Sequence, residues 1–218
     1  MPELNHIGLD PKTTYIISIT SKPLTFPESS KTYIVAEENK FHTGNRYITN
    51  NPEEIAKIVK LLKTSPYTTI VIDDFNYLMQ DYYMANALKG GWDTLKKMGY
   101  FMGLIFEAIE SYKDVDKHII VLAHGEDVLQ PDNRIYIKMK TVGKMVDDQI
   151  TPEGKFDITL VGTSRFDTIN KQVIKEFITN EDALISSPKS PYGMFDTLYI
   201  PNDLGYVIEK VNNYYKKN

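Results

Sequence analysis

The sequence predicts an α/β fold with a mainly parallel sheet flanked by helices, and three of its features do so. Thr68 to Ile72 (TTIVI) and His118 to Ala123 (HIIVLA) are short, β-branched runs, apolar on both faces, as strands in the middle of a parallel sheet are. The chain between them is patterned as two helices, the kind of crossover a parallel pair requires. Both runs end in polar residues, Asp73-Asp74 and His124, at the end where open α/β sheets place their ligands.

Along the chain, Thr14 to Thr20 (TYIISIT) reads as a first buried strand. Ser21 to Ser30, with two prolines, reads as a loop and Lys31 to Ala36 as a short strand. Phe41 to Asn51, with Gly44 and three asparagines, reads as another loop. A helix starts at Asn51-Pro52-Glu53-Glu54: Asn51 caps, Pro52 suits the first helical position, and Glu54 stands where a capping box takes an acid. Ile55, Ile58, Val59 and Leu62 follow at helical spacing, and Pro66 stops the helix. Two helices, from about Phe75 to Leu88 and from Asp93 to about Lys113, are separated by Gly90-Gly91. Ile135 to Met139 alternates like a half-exposed strand, and Thr141 to Ile150 suits a short helix. Phe156 to Val161 and Gln172 to Ile178 suit strands, and Ser186 to Pro191 a loop. Asn202 or Asp203 caps a final helix to about Tyr215. No repeat or linker divides the 218 residues, so a single domain is expected.

Composition narrows the classes. Hydrophobic residues make up 42% and charged residues 25%, ordinary for a globular chain that buries a sizeable core. The net charge is −4 and the lysines and arginines are dispersed, so no basic face points to nucleic acid. There is no cysteine, which excludes disulfides and thiolate metal sites. His6, His42, His118 and His124 lack the spacing of metal ligands, and no run of apolar residues is long enough to span a membrane.

The chemistry concentrates at Ile70-Val71-Ile72-Asp73-Asp74, a Walker B pattern. A carboxylate at such a strand end holds Mg²⁺ while the metal bridges nucleotide phosphates, and a second acid orients an attacking water. The same residues also read as an apolar strand ending in an acidic turn, with Asp74 capping the next helix. His124 reads either as a neutral donor to a phosphate or as a histidine satisfied by backbone. Lys138, Lys140 and Lys144 read either as cations for a neighbour's phosphates or as a solvated strand face. No GxxxxGK[ST] occurs. The nearest fragment, Pro27 to Thr32, ends in Lys31-Thr32 but has no glycine to curl its N–H groups around phosphates.

Taken in order, GLDPKTTYIISITSKPLTF, TIVIDDFNYLM, HIIVLAHGED, MKTVGKMVDDQITPEGKFDITLVGT and SPKSPYGMFDTLYIPND resemble a phage-encoded family of RecA/AAA-like P-loop ATPases. That family is related to the RecA-like phage single-strand annealing ATPases. The resemblance runs from Gly8 to about Tyr215 and implies a RecA/AAA-like sheet with ATP and Mg²⁺ as cofactors. It assigns Asp73 and Asp74 to the Walker B acids, Asp73 to the metal, His124 to the polar sensor position, and Lys140, Thr141 and Lys144 to the K-T-x-G-K stretch that binds the cofactor. In the family a strand, P-loop and helix precede the LDPKTTYII-like segment, where here only Met1 to Ile7 stand. The expectation is therefore an ATPase-family protein of phage DNA replication or recombination that lacks the P-loop strand and helix, with hydrolysis degenerate or absent. The alternative is a non-catalytic virion component or accessory subunit that keeps the fold. Expected partners are further copies of the chain, another phage protein or single-stranded DNA, without a membrane, in the host cytoplasm or the virion.

Overall fold

The computed structural model describes residues 7–89, 92–142 and 151–216. Its elements in chain order are β1 (Thr14–Ser18), α1 (Ser29–Thr32), β2 (Arg46–Ile48), α2 (Pro52–Leu62), β3 (Thr69–Asp73), α3 (Asn76–Asn86), α4 (Trp92–Glu110), β4 (His118–Val121), β5 (Gly125–Leu129), β6 (Ile135–Met139), β7 (Val161–Asp167), β8 (Gln172–Ile178), β9 (Tyr199–Pro201) and α5 (Leu204–Lys216). The protein is α/β, and its contacts divide into two compact units. One holds Asp10–His124 with the chain just after β6; the other holds Gly125–Lys138 and the chain from Pro152 onward, together with the N-terminal residues through Leu9.

The first unit is built on a four-stranded sheet of order β2-β1-β3-β4, parallel throughout. All five residues of β1 and the first four of β3 are buried, which is why TYIIS and TIVI carry no polar alternation. The crossovers β2-α2-β3 and β3-α3-α4-β4 step the same way across the sheet. Right-handed connection therefore puts their helices on one face, and α2 and α4 pack together there. Ile55, Ile58 and Val59 of α2 and Met98, Met102 and Ile105 of α4 are buried accordingly.

Side chains fasten the far ends of these helices. Tyr112 donates to the carbonyl of Val59 at 2.6 Å, and Lys117 donates to the carbonyls of Leu62 and Ser65 at 2.8 and 2.6 Å. A cation thus satisfies the carbonyls left over at the end of α2. On the outer side of α4, Gly99 and Gly103 stand with open space where a Cβ would be. Each costs the helix about 1 kcal/mol relative to alanine, and no contact among the described residues calls for either.

The second unit contains the two-stranded sheet β5-β6 and the three-stranded antiparallel sheet β7-β8-β9, with α5. Its core is Met194, Phe195, Ile200, Val207 and Val211, flanked by Ile158, Leu160, Phe177, Tyr206 and Tyr214. Asp203 caps α5, accepting from Gly205 N–H at 2.8 Å and Tyr206 N–H at 3.3 Å. The same carboxylate accepts from the N–H groups of Ile7 and Gly8. Gly205 is required here, because a Cβ would meet the Gly8 carbonyl oxygen at 2.0 Å.

Besides the strands β5 and β9, which the sequence does not announce, the structure departs from the sequence reading at four places. Lys31 to Ala36 is not a strand: Ser29–Thr32 forms a single helical turn, and only Val35 makes an isolated bridge, to Arg46. The stretch Phe41 to Asn51 is not all loop, since Arg46–Ile48 pairs with β1 as the edge strand. A strand this short and polar carries too few residues for periodicity to register. The strand expected over Phe156 to Val161 begins only at Val161; before it, Pro152–Lys155 is a 3₁₀ turn and Thr159 bridges Lys189. At α2, Asn51 accepts from Glu53 and Glu54 N–H as a cap does, but Glu54 does not reach back. Its carboxylate is taken instead by Tyr47 Oη at 2.7 Å and Thr49 Oγ1 at 2.6 Å. The helix suggested for Thr141 to Ile150 lies, beyond Val142, outside the described residues.

Asn51→Ala should lower the stability of the first unit by about 1 kcal/mol, read as a lower urea midpoint with an unchanged slope.

Candidate functional site at the carboxyl edge of the parallel sheet

From β1 the chain steps outward to β2, then crosses back to β3 and β4. Connections that leave neighbouring strands in opposite directions open a crevice beyond their carboxyl ends, here between β1 and β3. Register pairing sets Ser18 beside Asp73 at that point.

Asp73 is the last residue of β3 and is half-buried. Its carbonyl accepts from Ile19 N–H at 3.1 Å. Arg46, 7% exposed, lies on the same face of the sheet as Ser18 and Asp73. Its Nε donates to Ser18 Oγ at 2.9 Å and a terminal nitrogen donates to the Lys22 carbonyl at 2.6 Å. Burial, then the neighbouring Asp74 charge, pushes the Asp73 carboxyl above the usual carboxylate range, against the opposing pull of Arg46 and Lys22. Burial likewise holds the Arg46 guanidinium below its ordinary value, with Asp73 acting the other way.

Asp74 has a φ of 64°, the left-handed region that a non-glycine residue seldom occupies. Its Oδ2 accepts from Thr20 Oγ1 at 2.8 Å and lies 3.7 Å from Lys22 Nζ, while Oδ1 lies 3.9 Å from His124 Nε2. The Lys22 ammonium also stands 4.6 Å from the centre of the Tyr77 ring, which meets the His124 ring edge-on at 5.7 Å. Asp74 is not a cap for α3, whose N-terminus has no side-chain cap.

His124 follows β4 and is fixed through its backbone. Its N–H donates to Asn76 Oδ1 at 3.1 Å, and its carbonyl accepts from Lys140 N–H at 2.8 Å. Beside it, Phe75 N–H donates to the Leu122 carbonyl at 2.9 Å, so the ends of β3 and β4 are tied together. The His124 side chain is 61% exposed, so the backbone is satisfied while the imidazole reaches solvent.

The structure therefore brings Asp73, Asp74 and His124 to one sheet edge. It brings Lys140 there by its backbone, with Thr141 next in the chain. Lys144 lies outside the described residues. Gly125, Glu126 and Asp127 belong to β5 in the second unit, where Glu126 pairs with Lys138 at 3.0 Å. Lys31-Thr32 is no phosphate loop: Lys31 pairs with Glu28 at 2.8 Å, and Thr32 Oγ1 donates to the Glu28 carbonyl. Thr20, Lys22, Arg46 and Asn76 escape the sequence reading. Thr20 ends the predicted first strand, a signal of the same kind as His124. Nothing in the sequence marks Arg46 or Lys22.

Among the described residues no group of three or more His, Cys, Asp or Glu side chains is arranged to hold a metal. The acid pair fits Mg²⁺, which takes one or two carboxylates and completes its shell with phosphates and water, and does not fit a metal caged by protein alone. Compared with known proteins, the chain matches no protein-family model and no curated protein.

Because the folded pKa of Asp73 is raised, the group's contribution to stability is complete below the unfolded value of about 3.9 and is lost as pH rises through the folded value. Asp73→Asn should therefore raise the melting temperature at pH 7, with the gain closing as pH falls below the unfolded value; thermal melts over that range check it.

Proposed function

We propose that the chain is a nucleotide-binding protein of the RecA/AAA-like ATPase class, serving phage DNA replication or recombination, with hydrolysis degenerate or absent. One observation carries this reading: β3 ends in Asp73, with Asp74 next, at the point where strand order reverses, and His124 follows three residues beyond the end of β4, which pairs in register beside β3. That adjacency is what an acid strand flanked by a sensor strand requires. Asp73 would hold Mg²⁺, which would bring charge to bear on the phosphates of a bound nucleotide, and Asp74 beside it would orient a water. His124, with its backbone fixed and its ring exposed, would donate toward a phosphate oxygen. No GxxxxGK[ST] occurs among these residues, so they supply no backbone cradle for β- and γ-phosphates of their own, which supports degenerate or absent hydrolysis by them.

A second reading, a non-catalytic structural or accessory protein in the same fold, is favoured by a different observation. The Asp74 carboxylate already accepts from Thr20 and faces Lys22, so the chain's own groups engage the second acid of the pair.

Titration calorimetry with Mg²⁺-ATP and Mg²⁺-ADP separates the two. The nucleotide reading expects saturable binding that Asp73→Ala and Asp74→Ala each weaken at least about tenfold, roughly 1.4 kcal/mol. No heat at millimolar nucleotide overturns that reading and leaves the accessory one.

A further inference from the structure

We infer that the outer face of α4 is an antiparallel self-association surface, whose occupant is α4 of a second copy of this chain. The inward face of the helix is accounted for by Met98, Met102, Ile105 and Phe106, all buried. The outward stripe is Trp92, Lys96, Tyr100, Gly103, Glu107 and Glu110, with Gly99 at its margin; at 100° per residue these positions fall within about a third of the helix circumference. Trp92 and Tyr100 are 69% and 62% exposed, although large aromatics of this kind are what interfaces concentrate.

Charge identifies the occupant. The stripe carries Lys96 in its N-terminal half, flanked by Asp93 and Lys97, and is acidic toward its C-terminal end, with Glu107 and Glu110. The last turn carries no basic residue, so its acids lie against the partly negative carbonyl end of their own helix. A parallel copy would set like charges side by side. An antiparallel copy related by a two-fold axis near the middle of α4 sets Lys96 of each chain alongside Glu107 of the other, twice per dimer, and opposes the two helix dipoles. Glu107 also meets Lys60 of its own chain at 3.2 Å, an exposed pair of little strength. The same axis brings Gly99 and Gly103 of one helix over Gly103 and Gly99 of the other. Two glycines that no contact among the described residues requires then acquire a purpose, since they let the backbones approach more closely than side chains would allow.

Sedimentation equilibrium on the full chain tests this independently of any nucleotide. The wild type is expected to dimerise. Lys96→Glu and Glu107→Lys, each of which apposes like charges twice, are expected to weaken the dimer roughly tenfold. The double variant Lys96→Glu with Glu107→Lys is expected to restore it. Gly99→Ala with Gly103→Ala is expected to give a monomer whose melting temperature is no lower than that of the wild type, which separates lost association from lost folding. A wild type that stays monomeric at the highest attainable concentration overturns the inference, as does a dimer that ignores all of these substitutions. Single variants that dissociate without rescue by the double variant also overturn it. Nucleotide binding that persists in a monomeric variant leaves the functional reading intact.

Discussion

Parallel strands cannot be joined by a tight turn, so a chain that pairs β1 with β3 must leave the sheet and return over it before the pair exists. That pairing is what everything else in the first unit leans on. It runs in register from Thr14 beside Thr69 to Ser18 beside Asp73, and it buries both faces of both strands. The burial has to outweigh the ordering of two long connections, which explains why the two strands are nearly pure Ile, Val, Thr and Tyr. The same register fixes the height at which the apolar core stops. Below it, Ile17 and Ile72 are sealed; at its rim, Ser18 and Asp73 are the first groups with a polar role.

At that rim the protein accepts local costs for the sake of arrangement. Burial and the neighbouring acid push the Asp73 carboxyl above the usual carboxylate range, and Arg46 is buried within its field. Asp74 turns through a left-handed conformation, which places its carboxylate among Thr20, Lys22 and His124. Groups set against their own stability in this way are more typical of ligand sites than of a passive strand end.

Much of this was legible in the residues, and the reasons differ from element to element. β3 and β4 declared themselves because burial on both faces leaves an uninterrupted apolar run, and α2 because Asn51 and Pro52 punctuate it before a helical period begins. Asp73, Asp74 and His124 could be found because a strand's end is visible in one dimension. Arg46 could not: it sits in a three-residue strand amid polar neighbours, and its role depends on pairing with β1, some thirty residues earlier in the chain. Lys22 is hidden for the same reason, since only the folded path of the β1–β2 connection brings it to Asp74. Phe156 to Val161 misled because an apolar patch need not be a strand; Ile158 and Leu160 pack against the core of the second unit from irregular backbone.

The hydrogen bond between the Lys140 amide and the His124 carbonyl has an architectural consequence. The chain quits the first unit after His124, makes the two strands β5 and β6, and comes back at a residue bonded to the one it left. An excursion whose two ends are neighbours places almost no demand on the body it leaves. Such a doorway is where a protein accepts a graft, and the length or content of what lies beyond can change while the sheet and its acidic rim stay as they are.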